Sequence, residues 1–213
     1  MKRAGVDSQG GPASNGALVR CEPLTFDASA SNWVNITAAA SGDCNCSTVA
    51  AWPLFPGDVA QFGVIPKNAE LDALTSCTFE AWVKLVANNF SSPINRWTHT
   101  GGIIIKNTGE PGYFDNSRGA QIYGATPMAL GSWAHIAVTL DNAASTGTIY
   151  LNGAVDGSGL WNVHTGLSFD LYVGQFPGFW PVNGEINEAR LYDRVLSADE
   201  VARNYQAGRA RHQ

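Results

Sequence analysis

Residues 184–208 read GEINEARLYDRVLSADEVARNYQAG, a strand that runs almost directly into a helix with its signals in place. From Glu185 to Asp193 the pattern puts Ala189 and Leu191 on one face and Glu188, Arg190 and Tyr192 on the other, the period of a half-buried strand. Glu185 and Glu188, three apart, are expected on opposite faces. Ser197 then stands at an N-cap position, and Glu200 three residues on completes a capping box that satisfies two backbone donors. Leu196 and Val201 fall at N′ and N4 as a hydrophobic staple. Asp199 and Glu200 suit the positive end of the helix, Arg203 the negative end, and Gly208 is expected at C′. A helix of about ten residues is marginal alone. Val201 and Tyr205, one turn apart, are therefore expected to dock it across the end of a sandwich.

Working outward, the pattern upstream is that of short strands. CTFEAWVKL alternates Phe79, Ala81, Val83 and Leu85 against Thr78, Glu80, Trp82 and Lys84. GGIIIKN reads as a short strand buried on both faces, and in WAHIAVTL the residues Ile136, Val138 and Leu140 share a face. TIYLNG turns Ile149 and Leu151 inward and ends in Asn152-Gly153, a strong tight-turn signal. LSFDLYVGQ and EINEARLYD supply the last strands, and WVNITAAAS, VAAWPLF and DVAQFGVIP less distinct earlier ones. Strands at this spacing with a single late helix predict an all-β fold, a two-sheet antiparallel sandwich with a short C-terminal helix. Residues 1–30, rich in Gly, Ser and Asn, are expected to form an N-terminal extended arm that lies across a protein partner, and residues 31–213 the sandwich domain.

Composition narrows the function. The chain has 213 residues, 45% hydrophobic and only 15% charged, which suits one β-rich core. With net charge −5 and no run of Lys and Arg, nucleic acid is excluded as an expected partner. The N-terminus has no apolar segment behind its basic start, so neither a signal peptide nor a transmembrane segment is expected in this chain, and no membrane insertion. The cysteines are Cys21, Cys44, Cys46 and Cys77. Cys21 could bridge to Cys77, or to Cys44 or Cys46; equally, all four could be small buried hydrophobes. The spacing is not that of a zinc ribbon.

The blocks CTFEAWVKL, GGIIIKN, GSWAHIAVTLDNAASTGTIYLNG, LYVGQ and NGEINEARLYDRVLSADEV, in that order, resemble laminin-G-like jelly-roll domains of the concanavalin A-like lectin/glucanase superfamily. The resemblance covers about residues 50–207 and implies a jelly-roll sandwich. Related domains bind sugars, bind proteins, carry calcium or act as spacers, so the fold leaves the function open. Sugar-cleaving members of the superfamily carry carboxylates in the form E-x-D-x-E, because acid and nucleophile must flank one bond. Here Glu70-Leu71-Asp72 is followed by Leu74 where the next carboxylate should fall, and no catalytic residue is assigned. Calcium is the metal the resemblance suggests, with Asn187 at the position of an acidic ligand in the last strand; Asn is the weaker ligand, and a hydrogen-bonded Asn is the simpler reading. His135 is read as a packed strand residue.

Sugars are held by aromatic platforms flanked by amides or carboxylates, because a pyranose offers C–H faces and hydroxyl edges. Three loops could supply these: NNFSSPINRWTH with Trp97, GYFDNSRG with Tyr113, Asp115 and Asn116, and QFPGFWPVN with Phe179 and Trp180; Trp161 is a further candidate. Most of seven tryptophans in so small a domain must serve the core. The sequence therefore supports a non-catalytic recognition module for a glycan or surface, displayed on a larger assembly such as a phage or other virion, or on an extracellular surface. The alternative is a structural or decoration subunit whose loops and arm bind protein neighbours and no sugar.

Overall fold

The computed structural model describes residues 17–21, 24–27, 32–35, 63–65, 67–96, 101–115, 120–162, 168–175 and 179–212. In chain order the elements are β1 (Ala17–Cys21), β2 (Leu24–Asp27), β3 (Asn32–Asn35), β4 (Gly63–Ile65), α1 (Ala69–Asp72), β5 (Cys77–Leu85), β6 (Ser91–Arg96) and β7 (Gly101–Ile105). They continue with β8 (Pro111–Asp115), β9 (Ala120–Tyr123), β10 (Trp133–Asp141), β11 (Thr146–Leu151), β12 (Ala154–Leu160), β13 (Leu171–Val173), β14 (Gly184–Tyr192) and α2 (Ala198–Arg209). The first sheet has the order β1-β14-β5-β10-β11-β12, and the second β4-β13-β6-β7-β8-β9. Both are antiparallel throughout, and β2 and β3 form a separate pair. No helix among the described residues is long and apolar enough to cross a membrane.

The alternation read from sequence sets the core. Phe79, Val83, Ile136, Val138, Ile149 and Leu191 face in from the first sheet and meet Ile94, Ile103, Ile105, Tyr113, Leu171 and Val173 from the second. Each such side chain contributes about 1.5–3 kcal/mol when fully buried, and their contiguity makes the two sheets one unit. The hairpin between β11 and β12 turns at Asn152 (φ 52°) and Gly153 (φ 79°), the paired left-handed residues that a tight turn of this hand requires.

Two expectations for the ends of the chain are corrected. Residues 17–21 of the expected arm are β1, which adds to the edge of the chain's own first sheet by pairing with β14, for example Val19 opposite Leu191. The unpaired ladder of β14 is satisfied within the chain and not, over this stretch, by a partner. Residues 1–16 lie outside the described residues. The helix α2 begins as expected: the Ser197 side chain accepts from the Glu200 N–H and the Glu200 carboxylate from the Ser197 N–H. Leu196 and Val201 pack together, but in a cluster with Ala137, Tyr150 and Tyr192, residues of the first sheet's outer face. The helix thus lies on that face and not over the sandwich's end. It also runs past Gly208, with Ala210 as C-cap. Gly208 is a contact glycine: a Cβ there would come within 2.5 Å of Trp82 Nε1.

Under α2 lies a buried polar cluster. Glu80 accepts from His135 Nε2 (2.9 Å), Arg190 Nη1 (3.1 Å), the Tyr192 hydroxyl (3.0 Å) and Asn204 Nδ2 (3.1 Å). Burial pushes the Glu80 carboxyl up, but His135, Arg190 and Asn204 outweigh it and hold the group at about 2. Burial and the neighbouring carboxylate push the Tyr192 hydroxyl up. Glu188 pairs with Arg190 and with Arg211. The Trp82 indole is closed over by Tyr205 (5.7 Å between centroids) and by His212, stacked at 4.0 Å and 5°. The first sheet's outer face beneath α2 is therefore occupied by the chain itself.

Candidate functional site

The pairing registers lay out the second sheet's outer face. Ile94, Ile103 and Val173 point inward, so their strand neighbours Asn95, Gly102 and Tyr172 point outward. Tyr172 pairs with Asn95, Asn95 with Gly102, Gly102 with Phe114 and Phe114 with Gln121. This row crosses β13, β6, β7, β8 and β9. A second row runs through Ile104, Gly112 and Tyr123.

Gly102 is the gap in the first row. The strands approach so closely there that a Cβ would stand 2.4 Å from Ile94 O and 2.5 Å from Asn95 Cα. Asn95 and Phe114 are thus two strand spacings apart, about 10 Å, with no side chain between them in register. Gly112 does the same for the second row, since a Cβ would meet the Tyr123 ring at 2.4 Å. Tyr123 donates its hydroxyl hydrogen to Gln121 Oε1 at 3.0 Å, and Lys106 Nζ lies 4.4 Å from its ring centroid.

The loop after β13 supplies an aromatic rim. Gly174 N–H donates to Pro93 O, Val182 N–H to Gly174 O and Ser92 N–H to Trp180 O, all at 2.8–2.9 Å, and Asn89 Nδ2 to Pro181 O at 2.9 Å. These bonds hold Trp180 against β6 with φ 51°, a left-handed backbone that costs a non-glycine residue about 1–2 kcal/mol. Its ring stands edge-on to Phe114 at 4.7 Å and tilted to Phe90 at 6.2 Å. Phe179 beside it is 59% exposed.

Asn95 is the anomaly of this face. It is 1% exposed, yet neither its Nδ2 nor its Oδ1 has a hydrogen-bond partner. A buried polar group left unpaired costs about 1–3 kcal/mol, and native structures rarely keep one without a reason. Arg96, the next residue on β6, points the other way and is fully satisfied. It pairs with Asp72 and donates to Leu71 O and, at 3.0 Å, to Phe169 O, tying α1 to the sheet.

The candidates named from sequence fall into separate places. Tyr113, Asp115 and Trp161 are brought together, but inside the sandwich: all are at most 2% exposed, and Trp161 Nε1–H donates to the Tyr113 hydroxyl oxygen at 2.7 Å. Burial, with the Asp115 charge beside it, pushes the Tyr113 hydroxyl up. Their rings are core and offer no face to a ligand from this position. Phe179 and Trp180 lie on the rim. Trp97 and Asn116 lie outside the described residues, as do Cys44, Cys46 and the side chain of Cys21; Cys77 is fully buried at the start of β5.

Asn187 occupies a β-bulge. Glu185 pairs with Lys84 and Ile186 with Val83, but Trp82 is opposite Glu188, so Asn187 is the extra residue. The bulge puts Glu185 and Glu188 on the same face, which corrects the sequence expectation. Asn187 Oδ1 lies 2.9 Å from His212 Nε2. The adjacent carboxylates are engaged with Lys84, Arg190 and Arg211, and no group of three His, Cys, Asp or Glu side chains gathers among the described residues.

Sequence reading missed Asn95, Gly102, Phe114 and Gln121. NNFSSPINRWTH and GYFDNSRG were expected as loops, whereas SSPINR is β6 and PGYFD is β8. Every residue of both strands is buried, so no period of two marks them. The available signal was the short polar step SSPIN between two apolar strands.

No curated protein matches the sequence. Among solved structures, Trypanosoma rangeli sialidase in complex with sialic acid superposes with a TM-score of 0.64 at 16% identity, over 88% of this chain and 32% of that one. The CBM40 of Ruminococcus gnavus IT-sialidase superposes with a TM-score of 0.60 at 16% identity when bound to α2,3-sialyllactose, over 89% of this chain and 99% of that one. Bound to α2,6-sialyllactose, it gives 0.52 at 19% identity, over 63% and 85%. The chain spans about a third of the length of the sialidase, and at these identities the likeness is one of fold. The family model of the concanavalin A-like lectin/glucanases superfamily matches residues 57–202, more than half of the chain and all of both sheets except β1, and the chain belongs to that superfamily as a laminin-G-like domain.

Proposed function

We propose that this chain is a non-catalytic glycan-binding module whose ligand lies at the aromatic rim of Phe179, Trp180 and Phe90. The observation that carries the reading is the aromatic rim beside the first row, where Phe179 is 59% exposed and the Trp180 ring next to it stands edge-on to Phe114 and tilted to Phe90. An exposed aromatic surface of this kind stacks against the C–H face of a pyranose. The sugar-bound CBM40 structures share the fold, which adds support. The row carries Tyr172, Asn95, Gly102, Phe114 and Gln121 and no carboxylate, whereas glycoside hydrolysis needs two facing one bond. Glu80 and Glu188 are buried in ion pairs beneath α2. Carriage of the module on a larger assembly, a virion or another extracellular surface, belongs to the same proposal.

The test is a glycan array probed with the full chain presented multivalently, beside the Phe179→Ala variant. Wild type should bind a defined set of glycans and the variant should bind it at least about tenfold more weakly, with unchanged thermal unfolding. An array without hits for the wild type sinks the reading. A second reading, contact with protein neighbours, draws on Val86 (46% exposed), Phe90 (37%), Leu130 (47%) and Phe179 (59%), whose loops are tied by Val86 N–H to Asn183 O, Gly131 N–H to Leu85 O and Asn89 Nδ2 to Pro181 O. It predicts that Phe179→Asp abolishes assembly without touching glycan binding.

A further inference from the structure

We propose that Asn89 is the positioning residue of the aromatic rim, and that it holds the strained turn at Trp180 and Pro181 in the form that presents Phe179 to a sugar. The inference rests on the glycan reading above and deepens it by naming what keeps the platform ready. Trp180 has φ 51°, a left-handed backbone that is rare for a bulky residue. Pro181 follows it, and a residue before proline is pushed toward extended backbone. Two disfavoured features at one position persist only where the surroundings over-determine them, and such positions gather at ligand sites.

Main-chain bonds fix both flanks of the turn: Ser92 N–H to Trp180 O and Val182 N–H to Gly174 O at 2.8 Å, and Val86 N–H to Asn183 O at 2.9 Å. The carbonyl between them, Pro181 O, is held by a side chain. Asn89 Nδ2 donates to it at 2.9 Å and to Phe90 O at 3.3 Å. Both acceptors are main-chain carbonyls, which cannot donate, so the amide faces them with its nitrogen. The Ser91 hydroxyl donates to Asn89 O at 3.1 Å and stands 3.4 Å from Oδ1, which suits the same orientation. The N–H groups of Asn89 are thereby used within the chain, and its influence on a ligand runs through Pro181. Phe179 is 59% exposed, so a sugar face reaches it with no described residue moving aside. A platform already in its binding form spares the ligand the cost of ordering it. Without the Asn89 bond the turn can leave the left-handed backbone, and only the molecules that still hold it bind at full strength.

The test compares the full chain with its Asn89→Ala variant. Amide hydrogen exchange reads the turn without any ligand: the Ser92 and Val182 N–H groups should exchange about fivefold faster or more in the variant, while the N–H of Val138, fully buried in the core, keeps its rate. Titration over the glycan array reads the consequence: each glycan that the wild type binds should bind Asn89→Ala about fivefold or more weakly. In a Phe179→Ala background the same substitution should cost little more, because Asn89 acts through that ring. Asn89→Asp adds a pH readout. A carboxylate cannot donate to Pro181 O, whereas a protonated carboxyl can, so its binding deficit relative to wild type should shrink between about pH 7 and about pH 4, and that of Asn89→Ala should not. If Asn89→Ala does not fold, as judged by thermal unfolding, Asn89→Asp carries both the exchange and the binding comparison. Ser92 and Val182 amides that exchange at the wild-type rate, full glycan affinity in the variants, or equal losses with and without the Phe179 ring would overturn this inference and leave the glycan reading standing. An array without hits for the wild type removes both, even where exchange shows the turn loosened.

Discussion

Glu80→Gln tests what holds the helix to the sheet. The substitution keeps the shape of the side chain and removes one charge from a cluster in which every partner donates: His135 Nε2 at 2.9 Å, Arg190 Nη1 at 3.1 Å, the Tyr192 hydroxyl at 3.0 Å and Asn204 Nδ2 at 3.1 Å from each carboxylate oxygen. A glutamine offers a single acceptor oxygen, and its NH2 group would meet at least one of these donors. Breaking a buried pair by removing one partner costs about 3–5 kcal/mol. Arg190 retains Glu188, which places the expected loss near the lower end, about 3 kcal/mol, a large share of the roughly 5–15 kcal/mol that stabilises a domain.

Urea unfolding at pH 7, followed by tryptophan fluorescence, measures this directly, and Trp82, 5.1 Å from the His135 ring, reports from beside the cluster. The pH dependence adds a second readout. Burial alone would raise the Glu80 carboxyl; His135 first, then Arg190 and Asn204, lower it from 4.5 to about 2. A depressed folded-state value means stability that is fully present above about pH 4.5 and is lost as the pH falls through about 2. The wild type should therefore converge on the variant over that window. A loss under about 1 kcal/mol at pH 7, or a gap that stays constant from pH 7 to 3, would show that Glu80 does not anchor the helix by charge.

Ser197→Ala should cost about 1 kcal/mol in thermal or urea unfolding, because the bond from the Glu200 N–H to the Ser197 hydroxyl goes while the one from the Ser197 N–H to the Glu200 carboxylate stays; an unchanged midpoint would remove the cap as a source of stability. Gly208→Ala should destabilise: the gain in helix propensity, up to about 1 kcal/mol, is outweighed by a Cβ placed 2.5–2.8 Å from the Trp82 ring, and overpacking of this kind costs about 1–3 kcal/mol. A stabilised Gly208→Ala would mean that the helix does not lie on Trp82. Trp161→Phe removes the donor to the Tyr113 hydroxyl and should cost about 1–2 kcal/mol while leaving glycan binding unchanged; a loss of binding at constant fold would return Trp161 to the ligand site.

Much of the first sheet was legible in the sequence. β5, β10 and β11 each show one face to the core and one to polar groups, so alternation marks them, and the box and staple fix where α2 begins. The second sheet was legible only at GGIII. β6 and β8 are buried along their whole length, and a strand buried on both faces loses the period that would announce it. The bulge at Asn187 is a property of pairing, not of the strand's own pattern, so the face on which Glu185 lies could not be read from the spacing of two glutamates. The site itself was half legible. QFPGFWPVN carries its aromatics openly, but the meaning of Asn95 depends on Gly102 across one ladder and Phe114 across the next, neither adjacent to it in sequence.

The first sheet's outer face is settled by the chain itself, whatever its aromatic content suggests. On the first sheet, Trp82 and Trp133 have the composition of a sugar platform, yet His212 packs against both rings, at 4.0 and 5.1 Å between centroids, and Glu80, Arg190, Tyr192 and Asn204 satisfy one another. A ligand there would have to displace a helix and leave an ion cluster unpaired, at a cost of several kcal/mol. On the second sheet Asn95, Ile104 and Phe114 are buried on the outer side as well, at 1%, 1% and 9% exposure. Neither sheet face is therefore a platform by composition alone, and the exposed ring of Phe179 at the rim is the aromatic surface that the glycan reading draws on.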